Sequence, residues 1–199
     1  MTQSATAEAH GRRLETALRI TVAAQRLAER HGLDGFTLED LAEVVGVSRR
    51  TLFNHVPGKL DAVLGPVPVL DEASAADFVA GGPSGDLVED VVVLARSLVD
   101  GSGLSRDDLE RGRRLLLGEP RLIARAHQRF DELSAAFGDL VLEREGEAFG
   151  RERALLLVRV LVCAWDVALD RLLAGGQHGT DTFADLLVTT IREVRGLFR

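Results

Sequence analysis

Residues 37–59 read Thr-Leu-Glu-Asp-Leu-Ala-Glu-Val-Val-Gly-Val-Ser-Arg-Arg-Thr-Leu-Phe-Asn-His-Val-Pro-Gly-Lys. The apolar spacing predicts a short helix over 38–45, a tight turn at Gly46, and a second short helix over 49–55 that stops before Pro57. Two short helices joined in this way are typical of a helix-turn-helix, whose second helix lies in the major groove of DNA.

The amino ends of these helices are candidate phosphate sites. Thr37 and Ser48 stand at expected N-caps, and Asp40 gives the first helix a variant of the capping box. Free N–H groups and the helix dipole favour an anion at such an end. Lys59, the only lysine of the chain, stands at a third helix start and adds a mobile ammonium group. We therefore predict that Thr37, Ser48 and Lys59 contact phosphates.

The second helix carries the candidate base contacts. Arg49 and Arg50 open it, and a bidentate arginine–guanine pair is the commonest specific contact with a base. Two arginines after a serine cap are, taken alone, usually a solvated helix face, but the complete 37–59 pattern favours DNA binding. The other candidate DNA contacts on this helix are Thr51, Phe53, Asn54 and His55.

Charge is distributed unevenly along the chain. The net charge of the 199 residues is −7, whereas residues 1–60 hold 8 basic and 7 acidic side chains. An acidic protein would repel DNA. The near-neutral segment 1–60 must therefore present its arginines on one face. The acidic remainder is expected to lie away from a duplex.

Composition and motifs argue against several other classes of protein. Cys163 is the single cysteine, so no internal disulfide and no multi-cysteine metal site can form. No apolar run reaches the length of a membrane span, and residues 1–10 lack the apolar segment of a secretory signal. No glycine-rich phosphate loop, HExxH motif or nucleophile elbow occurs, which argues against an enzyme. We expect a cytoplasmic protein without cofactor, metal or membrane partner.

The chain as a whole is predicted to be all-α. Residues 1–11 are interpreted as a disordered arm, 12–64 as the helix-turn-helix domain, and 65–199 as a second helical domain. Gly65-Pro66-Val67-Pro68 must either kink the fourth helix or end it, because proline cannot continue a helix ladder. A linker is predicted at 80–85, and later helices near 86–99, 105–117, 120–147, 151–174 and 181–198.

Residues 12–64 resemble the N-terminal domain of the TetR/AcrR family of transcriptional regulators. The matching positions are Ala23-Ala24, Leu27, Gly32, Thr37, Leu41-Ala42, Gly46-Val47-Ser48, Thr51-Leu52-Phe53, His55 and Lys59. The resemblance implies an all-helical homodimer whose front domain binds double-stranded operator DNA and whose rear domain binds a small-molecule effector. Phe53 and Val56 depart from the family, which usually has tyrosine and phenylalanine at these two positions.

The last two helices are the predicted dimerisation elements. Residues 151–174 are apolar nearly all round, so that helix needs partners on more than one face. The final helix, 181–198, has a one-sided apolar stripe. Such a pair from each of two chains makes a four-helix seam, as the resemblance implies. The alternative is that both helices simply fill the core of one chain.

Candidate effector contacts lie in the rear domain. Arg159, Cys163 and Asp166 share a stripe, which either lines a ligand cavity or is the edge that meets water. Similarity of the segment 113–122 to one branch of the family implies acyl-CoA, or another hydrophobic or anionic metabolite, as effector. The remaining candidate ligand contacts are Arg114, Phe130, Phe137 and Trp165.

These patterns favour a ligand-responsive regulator, most simply a repressor that leaves a palindromic operator when its effector binds. The alternative is a helical protein-interaction module without sequence-specific DNA binding. A steep dependence of DNA affinity on salt separates the two, because only a DNA-binding protein releases condensed counterions.

Overall fold

The computed structural model describes residues 2–67, 69–99, 105–174 and 182–197. These ranges contain α-helices, two short 3-10 helices (Leu33–Gly35 and Glu147–Phe149) and no strand, so the all-α prediction is confirmed. The α-helices are α1 (Thr2–His31), α2 (Leu38–Val45), α3 (Arg49–His55), α4 (Lys59–Leu64), α5 (Glu72–Val79), α6 (Leu87–Val99), α7 (Arg106–Gly118), α8 (Pro120–Glu145), α9 (Arg151–Leu173) and α10 (Phe183–Gly196).

The first helix is longer than the sequence pattern predicts. It begins at Thr2 and so runs through most of the segment 1–11, for which we predict a disordered arm. Alanine recurs in this segment and is the best helix former. Adding a residue to an existing helix costs far less than nucleating a new one.

The chain separates into two compact units. The first contains α1–α4, α7 and α8 as far as Arg129, and the second contains α5, α6, α8 from Phe130, α9 and α10. The first unit thus joins α7 and the start of α8 to the segment 12–64, from which they are distant in sequence.

The core of the first unit is apolar and closed. Fully buried side chains come from α1 (Ile20), α2 (Leu41), α3 (Leu52) and α8 (Leu122). Removing each such side chain from water contributes about 1.5–3 kcal/mol. Leu52 is the only fully buried side chain among the seven residues of α3, so the exposed side of this helix is left for other contacts.

Local capping fixes the helix-turn-helix. Thr37 Oγ1 accepts from the Asp40 N–H at 3.1 Å, and Asp40 Oδ2 accepts from the Thr37 N–H at 2.8 Å, which completes the predicted capping box. Gly46 ends α2 with a φ of 75°, a conformation that favours glycine. Ser48 Oγ accepts from the Thr51 N–H at 3.0 Å and caps α3. The predicted helix ends are confirmed.

The fourth helix ends rather than kinks. α4 stops at Leu64, because Gly65 takes a φ of 86° and Pro66 follows it. The chain becomes helical again at Glu72, where the Asp71 side chain caps α5. Pro68 lies outside the described residues.

The second unit is built around α6 and the helix pair α9–α10. Ala164 and Ala168 of α9 pack with Leu187 and Ile191 of α10. A second cluster joins α5, α6 and α8; its fully buried members include Phe78, Val91 and Val141.

Candidate nucleic-acid interface

The third helix presents its polar side chains outward. Every predicted DNA contact except Thr37 and Lys59 lies on α3 or its cap. The exposed members are Ser48, Arg49, Arg50, Phe53 and Asn54, and the half-buried ones are Thr51 and His55. The exposed face therefore begins with two guanidinium groups at the amino end of a helix, as recognition of base edges requires.

Arg49 is held by weak contacts. Its Nη1 lies 3.0 Å from Glu39 Oε1, and its guanidinium carbon lies 5.5 Å from the centre of the Phe53 ring. Both charged side chains are more than half exposed, so the ion pair contributes at most about 1 kcal/mol. Arg49 can exchange this pair for a contact with DNA at small cost.

The amino end of α3 suits a phosphate better than that of α2. Asp40 lies in the first turn of α2, and bonds from the backbone and side chain of Thr37 keep the pKa of its carboxyl below the usual range. This carboxylate already compensates the positive end of the α2 dipole. The first turn of α3 contains no acidic residue. Its free N–H groups, beside Ser48, are therefore available to an anion.

Lys59 bonds to the protein itself. Its ammonium donates to the Leu33 carbonyl at 2.6 Å and to the Phe36 carbonyl, and lies 4.7 Å from the centre of the Phe36 ring. These contacts tie the start of α4 to the turn that precedes α2. A lysine has three N–H donors, so one remains for the predicted phosphate contact.

We expect Lys59→Ala to lower the free energy of unfolding by about 2–3 kcal/mol, since it removes two charge-assisted hydrogen bonds. Urea unfolding at neutral pH measures this loss. The phosphate contact has a separate test, because its removal lowers the slope of log affinity against log salt by about one. Unchanged stability together with an unchanged slope would contradict both roles.

Two arginines of α1 support the helix-turn-helix, and the sequence analysis missed them. Arg13 Nη2 donates to the Asn54 carbonyl at 3.3 Å, and Arg19 Nη2 donates to the Val45 carbonyl at 2.9 Å. Both groups therefore bond near the carboxyl ends of α3 and α2, where a cation is favourable. The contacts join residues 41 and 26 positions apart, so no local pattern could have revealed them.

The surroundings of His55 disfavour its charged form. Burial lowers the pKa of its imidazole below the ordinary 6.5, and the positive charge of Arg13 lowers it further. A neutral imidazole can donate one hydrogen bond and accept another. In the predicted contact with DNA, His55 can therefore serve as a hydrogen-bond donor or acceptor.

The predicted effector contacts are dispersed. Arg114 belongs to the first unit, where its Nη2 lies 2.9 Å from Glu29 Oε1. In the second unit, the ring centre of Phe137 lies 6.0 Å from that of Phe78, and the edge of Trp165 meets Phe183 at 4.7 Å. Of the other predicted effector contacts, Phe130 is half-buried on α8. The rest are exposed on α9: Arg159, Cys163 and Asp166.

A separate apolar cavity of about 470 Å³ lies in the second unit. None of the predicted effector contacts lines it. The residues around it come from α6, α9 and α10: Val88, Val91, Arg153, Leu156, Leu157, Val160, Leu161, Ile191, Val194 and Arg195. The predicted ligand set therefore stays a prediction.

A capped helix-turn-helix with two exposed arginines at the start of its second helix defines a DNA-binding regulator. Residues 20–61 match the family described as bacterial regulatory proteins, tetR family. This segment, about a fifth of the chain, is therefore similar to the DNA-binding domain of tetR-type transcriptional regulators. Comparison with curated proteins found no match.

The described residues contain neither a candidate membrane span nor a candidate metal site. Among the helices described, none combines the length and apolarity needed to cross a lipid bilayer. Within the same ranges, no group of three or more histidine, cysteine, aspartate or glutamate side chains is arranged to hold a metal ion.

Proposed function

We propose that the protein is a ligand-responsive repressor of the cytoplasm that binds a palindromic operator as a homodimer and leaves it when a small-molecule effector binds. The observation that carries the proposal is the outward face of α3, where Arg49 and Arg50 are exposed at the start of a helix whose first turn contains no acidic residue. The match of residues 20–61 to the tetR family model supports the DNA-binding part.

An exposed apolar stripe on α9 supports the dimer. Leu156, Val160, Cys163 and Val167 follow one another at steps of four, three and four residues, which is the spacing of a coiled-coil seam. Leu156 is 61% exposed and Val167 is 41% exposed within one chain. The apolar cavity is continuous with this stripe through Leu156 and Val160. A second copy would bury both.

The composition of the second unit bears on the class of effector. Its clusters are apolar and its exposed helix faces carry arginines, which fits a hydrophobic or anionic metabolite. Acyl-CoA remains one member of this class on resemblance alone, because Arg114 is already paired with Glu29 in the first unit. An effector that favours a dimer geometry poorly matched to the operator opposes DNA binding by about 1–3 kcal/mol.

Selection of bound duplexes from a random pool tests the proposal, with Arg50→Ala as the informative variant. We expect the parent protein to select a palindrome, and the variant to lose about 1–3 kcal/mol of discrimination at one position of each half-site. Arg30→Ala is the matched control, because it removes an exposed arginine of α1 and not one of α3. An identical motif for parent and Arg50→Ala would show that Arg50 does not read a base.

The alternative is a helical protein-interaction module that retains the helix-turn-helix only as a fold. In that case no motif is enriched from the random pool.

A further inference from the structure

Arg49 and its neighbour Arg50 differ in how the protein holds them. Arg49 Nη1 lies 3.0 Å from Glu39 Oε1 of α2, whereas Arg50 has no ion pair with any residue that the structure describes. We propose that Glu39 is a specificity-determining residue of the DNA-binding surface, because it neutralises Arg49 toward phosphates but leaves part of its guanidinium able to bond to a base. The inference rests on the proposed function, since it assigns a role within the same surface.

Two contacts hold the Arg49 guanidinium, one from α2 and one from α3. Glu39 belongs to the first turn of α2. Phe53 lies four residues after Arg49 on α3, so these two side chains share a helix face. The guanidinium carbon lies 5.5 Å from the centre of the Phe53 ring, which is close enough for a cation–π contact. The carboxylate and the ring therefore limit the directions in which the guanidinium can point.

The ion pair uses only part of the hydrogen-bonding capacity of Arg49. The contact with Glu39 is made through Nη1, and a guanidinium has further N–H donors on Nε and Nη2. Parallel N–H donors of this kind match the O6 and N7 acceptors of guanine. Arg49 can therefore bond to a guanine while it stays paired with Glu39.

A phosphate contact has a different electrostatic balance. An unpaired arginine that reaches a phosphate neutralises it and releases a condensed counterion. An arginine paired with a carboxylate brings no net charge to the duplex. If Arg49 leaves the pair, the Glu39 carboxylate stays near the phosphates and repels them. Breaking an exposed pair in water costs little, so the penalty arises at the DNA surface and not in the free protein.

The charges around this pair are balanced. Residues 37–59 contain three acidic and three basic side chains, so the net charge of this segment is zero. The acidic side chains all lie exposed on α2 and are Glu39, Asp40 and Glu43. In this described segment, Glu39 is the one of the three that is paired with an arginine of α3. Its loss would therefore release a cation at the start of that helix.

The consequence is a difference between operator and other DNA. Specificity depends on the ratio of the affinities for operator and for competing non-specific DNA, and not on operator affinity alone. Glu39 lowers the non-specific affinity because it keeps one arginine neutral toward phosphates, and it leaves the base contact intact. Replacing it with glutamine should strengthen non-specific binding more than operator binding.

The test compares Glu39→Gln with Glu43→Gln in the full chain. Both substitutions remove one exposed carboxylate from α2, but Glu43 has no ion pair with the described residues. Each protein is titrated at several salt concentrations with an alternating A·T duplex, which offers arginine no guanine, and with the selected operator. Circular dichroism at the assay temperature verifies that each variant is folded.

We expect Glu39→Gln to bind the guanine-free duplex about fivefold more tightly at low salt, with a slope of log affinity against log salt that is steeper by about one for each bound chain. Its operator affinity should change by less than about twofold, because the base contact is kept. Glu43→Gln should leave the slope unchanged. In an Arg49→Ala background, Glu39→Gln should also leave the slope unchanged, because no guanidinium is released.

Three results would overturn the inference: an unchanged slope in Glu39→Gln, an equal change of slope in Glu43→Gln, or an unchanged preference of Glu39→Gln for the operator. A failure of the parent to select any operator would instead refute the proposed function. In that event the guanine-free duplex decides the inference, because its salt slope does not depend on an operator. A steeper slope confined to Glu39→Gln would support the neutralisation of Arg49 by Glu39, and any other result would refute it.

Discussion

Replacing Arg144 with methionine is expected to lower the free energy of unfolding by about 3–5 kcal/mol, because it leaves a buried carboxylate without its counter-ion. The Arg144 side chain is 4% exposed and Asp90 is fully buried, with Nη2 and Oδ2 2.5 Å apart. The same guanidinium donates to the Phe78 carbonyl at 2.8 Å and the Gly82 carbonyl at 3.0 Å. Chemical unfolding of parent and variant measures the loss.

A matched control is available on the surface. Arg151 and Asp139 form a pair of similar length, 2.7 Å, but both side chains are about 60% exposed. Arg151→Met should therefore change the free energy of unfolding by less than about 1 kcal/mol. Equal losses for Arg144→Met and Arg151→Met would contradict the role given to the buried pair.

The pH dependence of stability provides a second check on the same pair. Burial raises the pKa of Asp90, but hydrogen bonds from Ser84 and the charge of Arg144 more than offset this, and the net pKa is lowered. Its stabilising contribution is therefore present above the pKa of the unfolded chain and is lost as pH falls through the folded value. Asp90→Asn should flatten the dependence of stability on pH in the acid range.

The second large effect is expected at the α9 stripe. Val160→Lys places a charge in the proposed dimer seam and should convert the dimer to monomers at micromolar concentration. Affinity for the full operator should fall by about a hundredfold or more, because two linked half-site contacts become independent. Sedimentation velocity and DNA titration measure the two effects. The control is Glu132→Lys, at an exposed position of α8.

A Val160→Lys protein that stays dimeric would show that the stripe is not the seam. Monomers that keep the full operator affinity would show that operator binding does not need the dimer.

The parts of the interface that the sequence predicted are local. Thr37, Gly46 and Ser48 each act on backbone groups within four residues, so the identity and spacing of these residues are sufficient to place α2 and α3. Leu52 and Val56 are both below 5% exposed, which agrees with the apolar periodicity of this segment.

The parts that could not be predicted are pairings across long stretches of chain. Arg144 and Asp90 are 54 positions apart, and Arg121 and Asp34 are 87 apart. Arginine is the commonest charged side chain here, and a one-dimensional pattern does not distinguish a buried arginine from a solvated one. The attachment of α7 and α8 to the helix-turn-helix was missed for this reason.

Helix α9 shows what apolar periodicity leaves undetermined. Its apolar sequence predicts burial on more than one side, yet Leu156, Val162 and Val167 are each more than 40% exposed in the single chain. Apolar periodicity reports the surface that a helix must bury, but not whether its own chain or another copy covers that surface. The excess of exposed apolar side chains is the physical basis of the proposed dimer.

The central claim is that a dimer binds operator DNA through the arginines of α3. Its most direct test is the stoichiometry of the selected operator complex, measured by sedimentation across a range of salt concentrations. We predict two chains on each duplex, with log affinity falling linearly and steeply as log salt rises. One chain per duplex, or an affinity that does not change with salt, would contradict the proposed binding.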